Sequence, residues 1–158
     1  MAFSNELAAL LHRDLTRLVQ EVQAFPSDEV LWKVLPGVTN SAGNLTLHLE
    51  GNLREFIGRQ LGQIDFQRDR PAEFGSSGRT RAELVRGIEA VRDTIPAVVA
   101  RLNAETLAAS FPEKVLTGPL PAQQFLMHVY GHLSYHLGQI DYLRRILTTG
   151  EAIPFASL

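Results

Sequence analysis

Three histidines follow one another at four-residue spacing in the stretch HVYGHLSYHLGQIDYL, which runs from His128 to Leu143. They are His128, His132 and His136, and the chain has five histidines in all. Neutral imidazole is a common ligand of divalent transition metals, and helical residues four positions apart lie on one face. Two-histidine helical motifs bind zinc for this geometric reason. The stretch therefore predicts either a metal site or a histidine-rich turn of a core helix.

A helix through this stretch, with ~100° between successive residues, has a well-defined apolar side. That side is formed by Phe125, Val129, Ile140, Leu143 and Leu147. His132 and His136 fall inside the apolar arc, whereas His128 falls at its edge beside Tyr135 and Ile146. Two buried imidazoles cost free energy unless their nitrogens find partners. A shared metal ion is therefore as reasonable an interpretation of the pair as two satisfied core histidines.

A third ligand has to come from elsewhere in the chain, because a catalytic tetrahedral site uses three protein ligands and keeps one position open. His48 lies in NLTLHLEGNLREFIG, at the border of the apolar stripe of the second predicted helix. His12 lies on the polar side of the first predicted helix, so we expect it to be solvated. His48 is the better candidate, and it can meet the His132–His136 pair if the second and fourth helices are neighbours.

Apolar residues at three- and four-residue spacing predict four long amphipathic helices. The expected ranges are about Ser4 to Phe25, Ser41 to Leu61, Thr80 to Leu102 and Pro121 to Thr149. Thr80 and Glu83 form a capping-box signature, and Pro96 is expected to kink or split the third helix. The pattern predicts an all-α four-helix bundle with long connections, as one domain over residues 1–158.

The composition excludes several classes of function. Lys and Arg number 15 against 17 Asp and Glu, and this balance gives no basic footprint for nucleic acid or an anionic membrane surface. The chain has no cysteine, which excludes disulfides, thiolate ligands and a cysteine nucleophile. No apolar run reaches the roughly 18 residues that a membrane span needs, and the amino terminus lacks the pattern of a secretory signal. We therefore expect a cytoplasmic protein.

Three segments of the chain resemble a known family. HLEGNLREFIG in the second helix, RDRPAEF in the loop after it and HLSYHLGQI in the fourth helix are similar to the DinB superfamily of metalloenzymes. GNLTLHLEGNLR also resembles the GNLxxHLxGNLR segment of an uncharacterised DinB-like subgroup. Helix order and loops agree as well, so the resemblance extends from about Leu7 to Leu147.

The resemblance implies a four-helix bundle with a long crossover, often a homodimer, in which His48, His132 and His136 hold a divalent metal. Zinc or nickel is the expected ion. The implied function is a metal-dependent enzyme, either a small-molecule hydrolase or an S-transferase that uses bacillithiol, mycothiol or glutathione as cosubstrate. Many relatives have a basic residue where this chain has Leu137, so a role of that position toward an anionic substrate is not expected here.

Two alternatives come from other classes of protein. One is a stress-linked protein that binds a metal or a small molecule without catalysis. The other is a helical-bundle interaction protein whose histidines are structural.

Four further residues are candidates for orienting a ligand or lining a substrate site. Asn52 and Gln139 each follow a candidate metal ligand by about one turn of helix. His128 and Tyr135 lie on the same side of the fourth helix and could line the mouth of the site, although packing is the favoured role of the tyrosine. The sequence assigns no catalytic residue.

The loop from Arg68 to Phe74 has two interpretations. Arg68, Arg70 and Glu73 could close over the metal and select an anion, or they could form a solvated run of charges, which is the favoured interpretation. Acidic alternatives to the histidine ligands are few, because Glu50 and Asp141 are both expected to project away from the apolar faces of their helices.

Overall fold

Four long helices form a bundle in the computed structural model, which describes residues 2–114 and 118–154. In this part of the chain the helices are α1 Phe3–Gln23, α2 Asp28–Leu31, α3 Ala42–Leu53, α4 Arg70–Gly75, α5 Arg81–Ala100, α6 Ala104–Ala108 and α7 Ala122–Thr148. The helix of α3 continues as a π-helix over Arg54–Arg59. These residues form no β-strand, and none of their helices is long and apolar enough to cross a bilayer.

The long helices pack in a closed ring. Helix α1 lies along α5, α3 contacts both α5 and α7, and α7 returns to α1. Leucine and isoleucine dominate the shared core, whose fully buried members include Leu11, Leu15, Leu18, Leu49, Leu53, Leu84, Ile88 and Leu126. The predicted all-α bundle is confirmed, and α3 and α7 are neighbours as the predicted histidine site requires.

Side-chain caps fix where α3 and α5 begin. The Ser41 hydroxyl accepts a hydrogen bond from the backbone N–H of Asn44, and Thr80 forms the predicted capping box with Glu83. The split expected at Pro96 does not occur, because α5 runs without interruption from Arg81 to Ala100. Pro96 is buried between the core residues Ile95 and Val99, so packing against the bundle keeps the helix together despite the missing N–H.

A short helix stands where the sequence predicted only a loop. The Asp69 side chain accepts a hydrogen bond from the backbone N–H of Ala72 and so caps α4, and Pro71 occupies its first turn. Six residues are too few for helical periodicity to show in the sequence. Helix α4 packs against α3 and brings Glu73 to the face of α3 that carries His48.

A buried ion cluster joins α1 to α7. The guanidinium of Arg144 donates to Glu21 at 2.5 Å and contacts Asp141 at 3.4 Å, and all three side chains are buried. The expectation that Asp141 projects away from the core is therefore wrong. That expectation assumes that α7 has a single apolar face, whereas α7 packs against both α1 and α3.

Candidate metal centre

Three imidazole rings converge between α3 and α7. His48 comes from α3, and His132 and His136 come from successive turns of α7. The Nε2 atom of His132 lies 3.1 Å from Nε2 of His48 and 3.1 Å from Nε2 of His136. Among the residues that the structure describes, these three form the group of potential ligands close enough to share one ion, with their ligand atoms within 4.8 Å of one another.

In two of these rings the outer nitrogen, the Nδ1 atom that points away from the cluster, contacts a hydrogen-bond acceptor. Nδ1 of His48 lies 2.9 Å from a carboxylate oxygen of Glu73, and Nδ1 of His136 lies 2.6 Å from the amide oxygen of Gln139. A carboxylate or amide oxygen can only accept, so both histidines carry their hydrogen on Nδ1. Their Nε2 atoms therefore present lone pairs to the centre of the cluster.

Arg68 fixes the carboxylate that orients His48. Its guanidinium donates to both oxygens of Glu73, at 2.7 and 2.9 Å, while one of those oxygens also accepts from His48. Glu73 is buried, and the Arg68 side chain is only 13% exposed. The favoured interpretation of this loop as a solvated charge run is thus wrong for these two residues. It holds for Arg70, which is exposed and lies over the ring of Phe74.

Gly51 makes room for this carboxylate on α3. A Cβ added there would clash with the carboxylate of Glu73. The glycine in the segment HLEGNLR is thereby explained, because it permits the close approach of α4 three residues after His48.

The nitrogen lone pairs at the centre cannot all be satisfied by hydrogen bonds. His132 has a single ring hydrogen in its neutral form: on Nε2 it can serve only one of the two neighbouring lone pairs, and on Nδ1 it leaves three Nε2 lone pairs that repel one another. Its other ring nitrogen, Nδ1, is buried without a hydrogen-bond partner in the described part of the chain. A cation among the three Nε2 atoms would remove the repulsion. The residues present therefore fit a metal ion.

The spacing of the nitrogens agrees with this fit. Zinc–nitrogen bonds of ~2.0–2.1 Å in tetrahedral geometry set neighbouring ligand nitrogens about 3.3 Å apart. Two of the three separations in the cluster are 3.1 Å, and all three lie within 4.8 Å. Three imidazoles also leave a tetrahedral ion one position for a substrate or solvent ligand.

Burial keeps the rings of His132 and His48 neutral. Desolvation, together with the neighbouring His136 and His48, lowers the pKa of His132 to about 4. Desolvation also lowers the pKa of His48, although the hydrogen bond to Glu73 acts in the opposite direction. Both rings are thus in the neutral form that binds metals at neutral pH.

The other candidate residues divide between two cavities beside the histidines. Asn52 and His128 line one cavity together with His132, and Tyr135 and Gln139 line the other together with His136. His128 is exposed and stacks on Phe125 rather than joining the cluster.

His12, the remaining histidine, is exposed on α1, as the sequence predicted.

Glu73 is the residue that sequence reasoning underestimated. The sequence places it in a charged loop, whereas the structure joins it directly to His48. The sequence does carry a signal, because a carboxylate five residues after Arg68, in a turn that Asp69 caps, can form a local ion pair. Nothing in the spacing showed that this pair would be buried against α3.

The fold and site together define a class: a helical bundle in which one histidine of α3 meets an HxxxH pair of the last long helix. The chain matches the model of the mycothiol S-transferase family over residues 6–149. It therefore belongs to that DinB-like family. A crystal structure of a DinB-like protein from Bacillus cereus ATCC 10987 is similar in fold, with a TM-score of 0.60, 17% sequence identity and 85% of each chain covered. No curated protein matches the sequence significantly.

The lowered pKa of His132 predicts how the metal-free protein responds to acid. An unfolded histidine titrates near pH ~6.5, whereas folded His132 titrates at about 4. Between these values only the unfolded chain takes up the proton, so the free energy of unfolding falls as the pH falls, by up to about 1.4 kcal/mol per pH unit. Urea denaturation of the metal-free protein between pH 7 and pH 4.5 measures this slope.

His132→Ala should flatten the slope, and His12→Ala, which removes an exposed histidine, should leave it unchanged. An equal slope in the wild type and the His132→Ala variant would contradict the assignment of a depressed pKa to this ring.

Proposed function

We propose that the protein is a metal-dependent S-transferase that joins a low-molecular-weight thiol to a small electrophile. His48, His132 and His136 hold one divalent ion, with zinc or nickel the expected metal. The observation that carries the proposal is the convergence of three Nε2 atoms, two of them oriented by acceptors on their outer nitrogens. Membership of the mycothiol S-transferase family supports the choice of a thiol as cosubstrate.

The donor set suits the ions proposed. Neutral imidazoles bind zinc and nickel well and leave the ion its full positive charge. When bound, the ion supplies a positive charge that favours thiolate over thiol, and the thiolate is the nucleophilic form. The chain has no cysteine of its own, so the thiol has to arrive as a substrate.

The protein side chains have separate tasks in this proposal. Glu73 and Gln139 hold the rings of His48 and His136 in the tautomer that directs Nε2 inward. Arg68 holds Glu73 in place through two hydrogen bonds. The carboxylate therefore acts as a positioning group, not as a base.

A conjugation assay tests the function. Purified protein with its metal content measured is incubated with 1-chloro-2,4-dinitrobenzene and, in turn, with mycothiol, bacillithiol and glutathione. We expect accelerated formation of the thioether with mycothiol, and loss of at least about a hundredfold in rate in His132→Ala, because removing one of three ligands releases the ion. His12→Ala is the matched control and should retain both metal and activity, since this histidine is exposed on α1.

Two results would count against the proposal. Stoichiometric metal without conjugation of any of the three thiols would rule out the transferase and leave a metal-dependent hydrolase or a non-catalytic metal-binding protein. No stoichiometric metal in wild type or variant would leave the histidines as structural residues of the bundle.

The orienting role of Glu73 gives a separate prediction. Glu73→Gln weakens the hold on the His48 tautomer, because an amide can present its NH₂ group to the ring. We expect metal affinity to fall about 10- to 100-fold while one ion still binds at saturation. Competition with a chelator measures the affinity, and Glu50→Gln on the neighbouring turn of α3, paired with Arg54 rather than a histidine, should bind the ion as the wild type does. Equal affinity in both variants would contradict the role.

A further inference from the structure

Two cavities flank the histidine cluster, and they differ in chemistry. One has a volume of about 490 Å³ and reaches His136, and the other has about 300 Å³ and reaches His132. No residue that the structure describes lines both of them. Both volumes fall at the size of small-molecule sites, which run from roughly 300 to 1,000 Å³.

The cavity beside His136 is mainly apolar, and no Lys, Arg, Asp or Glu is among the described residues that line it. Tyr135, Gln139, Tyr142 and Ile146 form one stripe of α7 along it, and the segment from Leu35 to Asn40 forms the facing wall. Tyr135, Tyr142 and Ile146 are each more than 60% exposed.

Exposed apolar side chains are concentrated at this cavity. Of the eight large hydrophobic residues that are exposed in the described part of the chain, four line it: Val38, Tyr135, Tyr142 and Ile146. Apolar surface left open beside a candidate reaction centre favours an uncharged apolar ligand. Continuity with His136 identifies the occupant as a small molecule that reaches the cluster, rather than a partner surface.

The cavity beside His132 is the more polar of the two, and one of its lining residues carries an unsatisfied acceptor. Asn52 is 9% exposed, and its side-chain oxygen is buried without a hydrogen-bond partner in the described part of the chain. A buried acceptor without a donor is unfavourable, so it indicates a ligand that brings an N–H or O–H group. His128 and Lys114 stand in the same lining and add further polar contacts.

We propose that these cavities are two substrate subsites: the apolar one beside His136 takes an uncharged aromatic or alkyl electrophile, and the polar one beside His132 takes the thiol. This assignment rests on the proposed function. In the transfer the thiolate sulfur forms a bond to the electrophilic carbon, the bond from that carbon to the leaving group breaks, and the leaving group departs with its electron pair. The thiol proton passes to solvent. The two reactants meet at the histidine cluster, which is the point that both cavities reach.

Binding of unreactive ligands tests the assignment without turnover. Calorimetry on the purified full-length protein gives dissociation constants for 1,3-dinitrobenzene and for S-methylmycothiol. Tyr142→Ala, which removes an exposed ring from the apolar cavity, should weaken dinitrobenzene binding about tenfold and leave S-methylmycothiol within about twofold. Asn52→Ala should do the reverse, with a loss of about fivefold for S-methylmycothiol.

Two further variants keep the test decisive. His128→Ala, an exposed change in the polar cavity, should reproduce the Asn52→Ala pattern even where the buried substitution impairs folding. Met127→Ala is the matched control, since Met127 is 50% exposed on α7 and lines neither cavity. It should leave both constants unchanged.

Several results would overturn the assignment. One is that a variant weakens the binding of both ligands equally, and another is that no variant weakens the binding of either ligand. A third is that Tyr142→Ala lowers the molar mass in sedimentation, which would show that a second copy covers the apolar stripe. Failure of the proposed function gives a different result from failure of this assignment. In a protein that transfers no thiol, each ligand would still bind its own cavity and respond only to the variants of that cavity.

Discussion

The approach of three imidazole nitrogens to one another is the constraint on which the site depends. His132 Nε2 lies 3.1 Å from the lone-pair nitrogens of both neighbouring rings and has at most one hydrogen to offer them, so the neutral cluster leaves a lone pair unsatisfied and repulsion at its centre that a cation would remove. Burial keeps the rings from relieving this repulsion by protonation, since it lowers the pKa of His132 to about 4. The geometry of the cluster therefore fits a metal ion, and contacts with the neighbouring structure hold the rings in place.

That support comes from three directions. Glu73 and Arg68 reach the outer nitrogen of His48 from the short helix α4, which approaches α3 closely because position 51 is glycine. Gln139 holds His136 from within α7. On the far side of α7, the buried pair of Arg144 and Glu21 joins this helix to α1. A shift of α7 that separated the two side chains would leave a buried charge unpaired, which is costly in free energy. The pair therefore also favours one register of α7 against the bundle.

Sequence reasoning predicted the bundle and the convergence of the histidines for physical reasons. The apolar stripes of the long helices are strongly periodic, and the four-residue spacing of His132 and His136 fixes their common face. His48 could be predicted as the third member because it lies at the border of the apolar stripe of α3, where its side chain can face a neighbouring helix. Whether the three residues bind metal remains a prediction. The buried role of Glu73 was not predictable, since it depends on a six-residue helix and on a contact between residues 25 positions apart. The unpaired oxygen of Asn52 was not predictable either, because a missing hydrogen-bond partner depends on tertiary contacts that the sequence does not show.

X-ray absorption at the edge of the metal carried by the purified protein tests the central claim most directly. The account predicts one ion with three imidazole nitrogens at ~2.0–2.1 Å, and two imidazoles in the His48→Ala variant. A coordination shell with the same number of imidazoles in wild type and in that variant would contradict a site built from α3 and α7 together.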